Sequence, residues 1–294
     1  MLYKLFEISN FQFIQVQSTK IDSLIFYTLK IFIFMIIDSH AHLDFFKEDE
    51  IKKVTENSIK NNVFRIITNS VDLPSSIKSL ELSKEFSIVK PAIGLYPPGA
   101  IKEEDKEKVI EELQKIKELI LKNKEKVVAI GEIGMDFYHG KREEMEFQEK
   151  ILIEQLNLAK ELNLPSIIHT RGAEKEVLEI LEKYSSQKIV IHCFCGNMKL
   201  VKKAVEIGCY FSIPCSLKRM QNFLELLKIV PKERILTETD APYLSPFEGK
   251  TNEPAFIKET IKEISKIWNL SIEETEKQIE ENSLKIFNLK YKNK

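Results

Sequence analysis

Two histidines stand one residue apart in IDSHAHLDF (37–45), directly after a run of apolar residues. In an extended strand, alternate residues point to the same face, so His40 and His42 project side by side. Two imidazoles at that spacing repel one another when both are protonated, and they favour a metal cation as a shared partner. An isolated His-x-His is more often a polar surface turn, so the rest of the chain has to decide between the two interpretations.

The composition is that of an ordinary globular protein. The chain has 294 residues, 43% of them apolar and 30% charged, with a formal net charge of -1. That balance argues against a broad basic surface for nucleic acid, although a local basic groove is compatible with it. Four cysteines fall within residues 193–215 without zinc-knuckle spacing. They predict reduced thiols in a cytoplasmic protein rather than a disulfide framework.

The first 34 residues differ from the rest of the chain. The stretch LIFYTLKIFIFMII (24–37) is nearly all apolar, but Thr28 and Lys30 interrupt it, and it is too short for a membrane span. It has no small-residue cleavage site before the His-x-His strand, so it does not match a secretory signal peptide. We therefore predict that residues 1–34 are an N-terminal extension outside the fold, and that 35–294 form one domain without membrane association.

Apolar, β-branched runs alternate with amphipathic helical patterns after Met35. Short and continuously apolar runs are typical of parallel strands, which are buried on both faces. Eight such strands are predicted, at 35–40, 63–69, 88–95, 126–132, 165–169, 188–192, 209–214 and 234–240.

Helical patterns separate these strands. In 103–122, Val109, Leu113, Ile116 and Ile120 mark one apolar face. Strand–helix alternation repeated eight times predicts an α/β fold, a single-domain (β/α)8 TIM barrel. A doubly wound open sheet is the alternative, but no Gly-rich phosphate loop follows the first strand. Further helices are predicted at 142–163, 173–184, 198–207 and 217–229, and two more within 254–288.

Barrel enzymes carry their catalytic groups at the C-terminal ends of the strands. Four of the five histidines and two acids lie at predicted strand ends, whereas His139 lies in the loop after the fourth strand, as a loop residue or a substrate contact. Singly, each could be a buried core residue or a turn cap. Together they predict one or two divalent-cation sites at the barrel mouth, with the fourth-strand acid as a bridge. The six residues are His40, His42, Glu132, His169, His192 and Asp240.

Six segments carry a family resemblance: DSHAHLDF, AIGEIGMDFY, FQEKILIEQLNLAKELNLPSIIHTRGA, IHCFCGN, LTETDAPYLSP and TNEPAFIKETIKEIS. In this order they resemble the signature blocks of the TatD family of metal-dependent deoxyribonucleases, part of the amidohydrolase superfamily. The resemblance covers residues 35 to about 288. It implies a hydrolase that uses two divalent ions (Zn, Mg or Mn) to activate water and trims single-stranded DNA or RNA from the 3′ end.

The resemblance also implies roles for individual residues. His40, His42, Glu132 and Asp240 would hold one ion, and Glu132, His169 and His192 would hold the second. Glu132 and Asp240 would thus be catalytic as well as ligands.

Further roles concern the surroundings of the ions. Asp240 would act as general base, Glu238 would hydrogen-bond around the metal centre, and Arg171 suits a substrate phosphate. Tyr96 occupies a substrate-contact position where many members carry histidine. Two further departures are Thr251 in place of a common arginine and Cys195 in place of the usual serine. These departures concern substrate contacts and leave the predicted ligands intact.

Two other functions are compatible with the same residues. One is a hydrolase of the same superfamily that acts on a small-molecule amide, lactone or phosphoester. No carboxylated-lysine position is evident, because the fourth strand supplies Glu132 instead. The other is a non-catalytic, metal-bound scaffold that binds nucleic acid or a protein, which the intact set of ligands counts against. The sequence does not indicate an oligomeric state.

Overall fold

The computed structural model describes residues 35–98 and 105–289 in full, together with the backbone of three short strands. Those strands, Leu5–Ile8, Phe11–Ile14 and Lys30–Ile31, pair antiparallel in a sheet of their own. The other residues of 1–34 lie outside the described ones, so their exclusion from the barrel stays a prediction. None of the helices in the described part of the chain has the length and apolar character needed to cross a bilayer.

Eight parallel strands form the centre of the fold, as predicted, and most of their residues are buried. Their continuous apolar character follows from this burial, because helices cover the outside and side chains fill the inside. The strands are β1 (Ile36–Ala41), β2 (Val63–Asn69), β3 (Val89–Ala92), β4 (Ile130–Asp136), β5 (Ser166–Arg171), β6 (Ile189–His192), β7 (Tyr210–Ile213) and β8 (Ile235–Thr237).

A helix follows each strand, and a ninth helix follows the eighth. The sequence patterns identify seven of these nine helices of the described residues, missing only the first two. The helices are α1 (Glu48–Lys60), α2 (Leu73–Glu85), α3 (Lys106–Lys122), α4 (Met145–Leu162), α5 (Glu174–Leu181), α6 (Met198–Ile207), α7 (Gln221–Ile229), α8 (Ile257–Trp268) and α9 (Ile272–Phe287).

The strands close into a ring. Two hydrogen-bonded sheets, β8-β7-β6-β5-β4 and β1-β2-β3, meet at two seams. At the first seam, Ala92 of β3 forms a parallel bridge with Ala129, just before β4. At the second, the backbone N–H of Asp240, beyond β8, donates to the carbonyl of His40 in β1 at 2.9 Å. The predicted (β/α)8 barrel is therefore confirmed.

Asp38 of β1 reinforces the second seam. Its fully buried carboxylate accepts hydrogen bonds from the Thr239 hydroxyl at 2.5 Å and the Thr239 backbone N–H at 3.0 Å. Burial raises the pKa of Asp38 to about 8, against the opposing effect of these hydrogen bonds. The start of the barrel is thus tied to the segment that follows its last strand.

The barrel interior is a packed core of apolar side chains. Buried residues of the strands, including Ile37, Ile167 and Leu236, pack together with Ile286 and Phe287 of α9. Because α9 covers the N-terminal end of the strands, the polar residues at the C-terminal end remain the accessible part of the interior. The four cysteines are free thiols, as predicted.

Candidate metal centre

The first group of donors comes from β1, from β4 and from the segment that follows β8. His40 and His42 of β1 place their Nε2 atoms 3.1 Å apart. Glu132 Oε2 lies 3.4 Å from both, and Asp240 Oδ1 lies 3.6 Å from His40 Nε2 and 3.4 Å from His42 Nε2. Donor atoms from three separate stretches of the chain therefore lie close together, with those of His40, His42 and Glu132 all within 4.8 Å of one another.

The spacing of these four atoms fits a metal ion. Five of the six edges that they define measure 3.1 to 3.6 Å. An ion about 2.1 Å from each of His40 Nε2, His42 Nε2 and Glu132 Oε2 is compatible with their separations, and that length matches zinc–nitrogen and zinc–oxygen bonds. Two nitrogens and two carboxylate oxygens are also a suitable donor set for manganese. The residues present therefore fit a divalent cation.

The second group of donors has three members. His169 Nδ1 and His192 Nε2 each lie 2.9 Å from Glu132 Oε1, and 3.1 Å from one another. His169 belongs to β5 and His192 is the last residue of β6. Three protein donors leave further coordination positions for water or substrate, as catalytic rather than structural metal sites do.

Glu132 is shared between the two groups, since Oε2 faces the first and Oε1 faces the second. Burial opposes its ionisation, but the charges of His192 and His40, with hydrogen bonds from His169 and His192, hold its pKa well below the usual value. The carboxylate is therefore ionised at neutral pH. A carboxylate in this position can bridge two cations.

The histidines differ in their protonation without an ion. Burial and the neighbouring His192 lower the pKa of His40 to about 4. For His42, burial is outweighed by the hydrogen bond to Asp240 and the charge of Glu132, which raise its pKa to about 9. Burial of His192 is outweighed by Glu132 and Glu238, which raise its pKa well above the usual value. Protons on His42 and His192 thus occupy the place that a cation would take.

Asp136 supports the second group, and the sequence reasoning did not single it out. Its Oδ2 accepts hydrogen bonds from His169 Nε2 at 3.0 Å, from His139 Nδ1 at 2.8 Å and from the Tyr96 hydroxyl at 3.2 Å. A carboxylate on the far nitrogen of a metal-ligating histidine fixes its tautomer and ring orientation. The available signal was spacing, because Asp136 lies four residues after Glu132 and hence on the same face of β4.

The remaining predicted site residues lie around this cluster. Glu238 Oε1 lies 3.6 Å from His192 Nδ1, and its Oε2 accepts a hydrogen bond from Ser212. The Tyr96 hydroxyl lies 2.9 Å from His169 Nε2, so it belongs to the network around Asp136. Arg171, at the end of β5, is exposed, and its guanidinium lies 4.1 Å from the centre of the Tyr138 ring. The roles of Glu238, Tyr96 and Arg171 stay predictions.

The six predicted ligands thus gather at one end of the barrel, from five strands or their extensions. Barrels that bring imidazoles and carboxylates together at this end form an amidohydrolase-like class of metal-dependent hydrolases, and this chain falls in that class. The sequence pattern described as TatD related DNase matches residues 37–288. The chain therefore belongs to the TatD family, and the resemblance inferred from its motifs is confirmed.

Individual relatives agree with this assignment. The uncharacterized metal-dependent hydrolase YabD of Bacillus subtilis is 34% identical over 262 residues, which cover 87% of this chain and 100% of YabD. Human deoxyribonuclease TATDN3 is 32% identical over 260 residues, covering 86% of this chain and 94% of TATDN3. The crystal structure of YJJV, a TatD homologue of Escherichia coli, superposes with a TM-score of 0.79 at 24% identity, covering 88% and 100% of the two chains.

Proposed function

We propose that this chain is a metal-dependent deoxyribonuclease that removes nucleotides from the 3′ end of single-stranded DNA or RNA. The observation that carries the proposal is the placement of Glu132, whose two carboxylate oxygens each face a separate group of donors. Such an arrangement suits two divalent ions, and phosphodiester hydrolysis is a reaction that paired ions serve. The family match and the similarity to human TATDN3, which is named a deoxyribonuclease, support a nucleic-acid substrate.

His40, His42, Glu132 and Asp240 would hold the first ion, and Glu132, His169 and His192 the second. Zn, Mg or Mn would supply acidification of a water molecule and neutralisation of the phosphate charge. Asp240 would orient that water and accept its proton, since its side chain is the most exposed of the six predicted ligands, at 15%, and is therefore accessible to solvent. Arg171 and Tyr96 contact the substrate phosphate from the side of β5, and Glu238 holds His192 in place.

The charge of the chain is consistent with a short contact to nucleic acid. With a net charge of -1, few phosphates can be bound at once. Each neutralised phosphate of a single strand contributes about -0.7 to the slope of log K against log salt. We therefore expect a slope between roughly -1 and -2. The free thiols support a cytoplasmic location for this activity.

The test is hydrolysis of an oligonucleotide that carries a fluorophore on its 5′ end, as a single strand and as a duplex. Full-length protein is freed of metal with a chelator and then supplied with Zn, Mg or Mn. Ion-dependent shortening of the single strand is expected, one nucleotide at a time. Asp240→Asn should lower kcat by about 10²- to 10⁴-fold, the usual contribution of a general base.

Two controls make the result specific. Glu225→Gln alters an exposed glutamate of α7 that pairs with Lys228, far from the mouth, and should leave hydrolysis unchanged, whereas Glu132→Gln should abolish it. A panel of amides, lactones and phosphotriesters is assayed beside the oligonucleotide. Hydrolysis of that panel alone would reject the nuclease, and absence of turnover on every substrate would favour a binding scaffold.

A further inference from the structure

In the described residues, the exposed aliphatic side chains and the exposed aromatic side chains lie in different parts of the fold. The aliphatic ones all lie on helices, which is ordinary for a protein surface. The aromatic ones all lie in loops that follow the C-terminal ends of strands, around the mouth that holds the candidate metal centre. The aliphatic residues are Ile59, Ile77, Leu121, Ile229 and Ile272, and the aromatic residues are Phe45, Tyr138, Tyr243 and Phe247.

Phe45 and Tyr243 lie beside the first group of donors. The ring of Phe45 stacks on the ring of His42, with centroids 5.0 Å apart and planes inclined by 13°. Tyr243 meets Phe45 edge-on at 6.1 Å. Although they touch, Phe45 is 42% exposed and Tyr243 is 55% exposed, so both rings keep a free surface at the mouth.

The backbone around Tyr243 is held in place. Its N–H donates to the Asp240 carbonyl at 2.8 Å, and its own carbonyl accepts from Asn252 Nδ2 at 2.6 Å. Because Asp240 belongs to the first group of donors, the position of Tyr243 is coupled to that group. Because the backbone is fixed, only the side-chain torsions of Tyr243 have to be ordered when its ring binds a flat ligand.

A second aromatic surface lies beside the second group of donors. Tyr138 is 69% exposed, and its backbone N–H donates to Asp136 Oδ1 at 2.8 Å. The Arg171 guanidinium lies over its ring, and it forms no ion pair with a carboxylate of the described residues. A planar cation on an aromatic ring presents a stack that can accept a further flat group.

We propose that Phe45 and Tyr243 form a base-stacking surface that binds a nucleobase next to the phosphodiester bond under attack. This rests on the proposed nuclease function and specifies how the substrate is recognised. In a nucleotide, one sugar separates the base from the phosphate. Phe45 stacks directly on His42, so a base on Phe45 would place its phosphate close to the first group of donors. Stacking accepts every base, because every base has a π-face, and it requires bases that are not already stacked in a duplex. The same surface therefore selects single strands without selecting sequence.

The test compares two oligomers that have the same length and charge. One is a thymidine 12-mer and the other is a 12-mer of abasic residues, both with a 5′ fluorophore and hydrolysis-resistant phosphorothioate linkages. Binding to the metal-loaded, full-length protein is followed by fluorescence anisotropy. One stacked base is expected to strengthen binding by about 5- to 150-fold over the abasic oligomer.

Variants locate the stacking surface. Tyr243→Leu and Phe45→Leu should reduce the ratio of the two affinities towards one by weakening only the binding of the thymidine oligomer. Tyr243→Phe keeps a ring and should restore the ratio. Ile229→Ala removes an exposed side chain from the outer helix α7 and serves as the control that leaves both affinities unchanged.

The outcomes separate this proposal from the nuclease assignment. A ratio near one in the wild-type protein, or a ratio that the leucine variants leave unchanged, overturns the stacking surface even if single strands are hydrolysed. The expected pattern of ratios without hydrolysis of any nucleic acid supports the stacking surface and rejects the nuclease. Since Phe45 packs on His42, metal content is measured for each variant, and Tyr243→Leu alone decides if Phe45→Leu loses metal.

Discussion

Both carboxylate oxygens of Asp136 accept hydrogen bonds, and replacement by asparagine changes only one of the two. Oδ1 accepts two backbone N–H groups, from Tyr138 and His139, each at 2.8 Å, and the amide oxygen of asparagine can keep these bonds. The amide nitrogen then takes the place of Oδ2, which faces His169 Nε2 at 3.0 Å. A nitrogen donor there cannot accept the proton of Nε2, so the Nε2–H tautomer loses its carboxylate acceptor and we expect the imidazole to change its tautomer.

The tautomer decides whether His169 can bind an ion. Asp136 holds the proton on Nε2, which leaves Nδ1 free to face Glu132 Oε1 at 2.9 Å. With asparagine the proton moves to Nδ1, where it blocks the second group of donors. Loss of such a supporting carboxylate typically costs 10- to 100-fold in metal affinity, or about 1.4 to 2.7 kcal/mol. We expect this loss at the second ion only.

Calorimetric titration of the chelator-treated protein with Zn measures the two affinities. The control is His139→Ala, which removes one partner of Asp136 that is 44% exposed and leaves the bond to His169 intact. It should change the affinity of the second ion by less than about threefold, in keeping with a partly solvated interaction. Wild-type affinity for both ions in Asp136→Asn would refute the reasoning, because the tautomer would then not depend on this carboxylate.

Three further predictions follow from the same structure. Gly134→Ala should displace His169 and lower the free energy of unfolding by about 1–3 kcal/mol, measured by denaturant titration, because a Cβ would lie 1.8 Å from the His169 carbonyl oxygen. Ion binding should release protons from His42, His169 and His192, because their pKa values are raised without an ion. Metal affinity should therefore rise with pH until the pH exceeds these pKa values, which for His42 is about 9. Calorimetry in buffers of different ionisation enthalpy counts these protons. Deleting residues 1–34 should leave folding and metal binding unchanged, as circular dichroism and metal analysis would report.

Each of these expectations has a result that contradicts it. An alanine at position 134 with wild-type stability and metal content would mean that β4 and β5 can separate at no cost. Metal affinity independent of pH between 6 and about 8 would mean that the ion-free histidines carry no protons. Insoluble protein after deletion of 1–34 would mean that the apolar N-terminal stretch packs against the barrel.

The strand pattern and the six donors were accessible from sequence because both depend on side-chain type. A parallel barrel requires continuously apolar strands, and its C-terminal ends converge, so polar residues at those ends identify a site. The ends of the strands were predicted less accurately than their number and order. The fourth strand was predicted to end at Glu132, but β4 continues to Asp136, and the supporting carboxylate was missed for that reason.

Helix α2 shows why some elements escaped the pattern. Its buried face includes Ser75, Ser76 and Ser79, which pack as small side chains, and the hydroxyls of Ser75 and Ser76 donate to the Asp72 carbonyl at the start of the helix. A periodicity of apolar residues cannot detect a helix that buries serine. The contact between Asp38 and Thr239 also escaped, since 201 residues separate the two along the chain. Only the closed ring brings them together.

The seam between the first and last strands means that the first group of donors is completed only late in synthesis. His40 leaves the ribosome early, but its partner Asp240 is made 200 residues later. A nascent or truncated chain that lacks the final strand therefore holds the four donor histidines and Glu132 without the acid that completes the first group. If the proposed function is correct, an unfinished polypeptide should not hydrolyse nucleic acid, because the first group of donors is incomplete until Asp240 has been made.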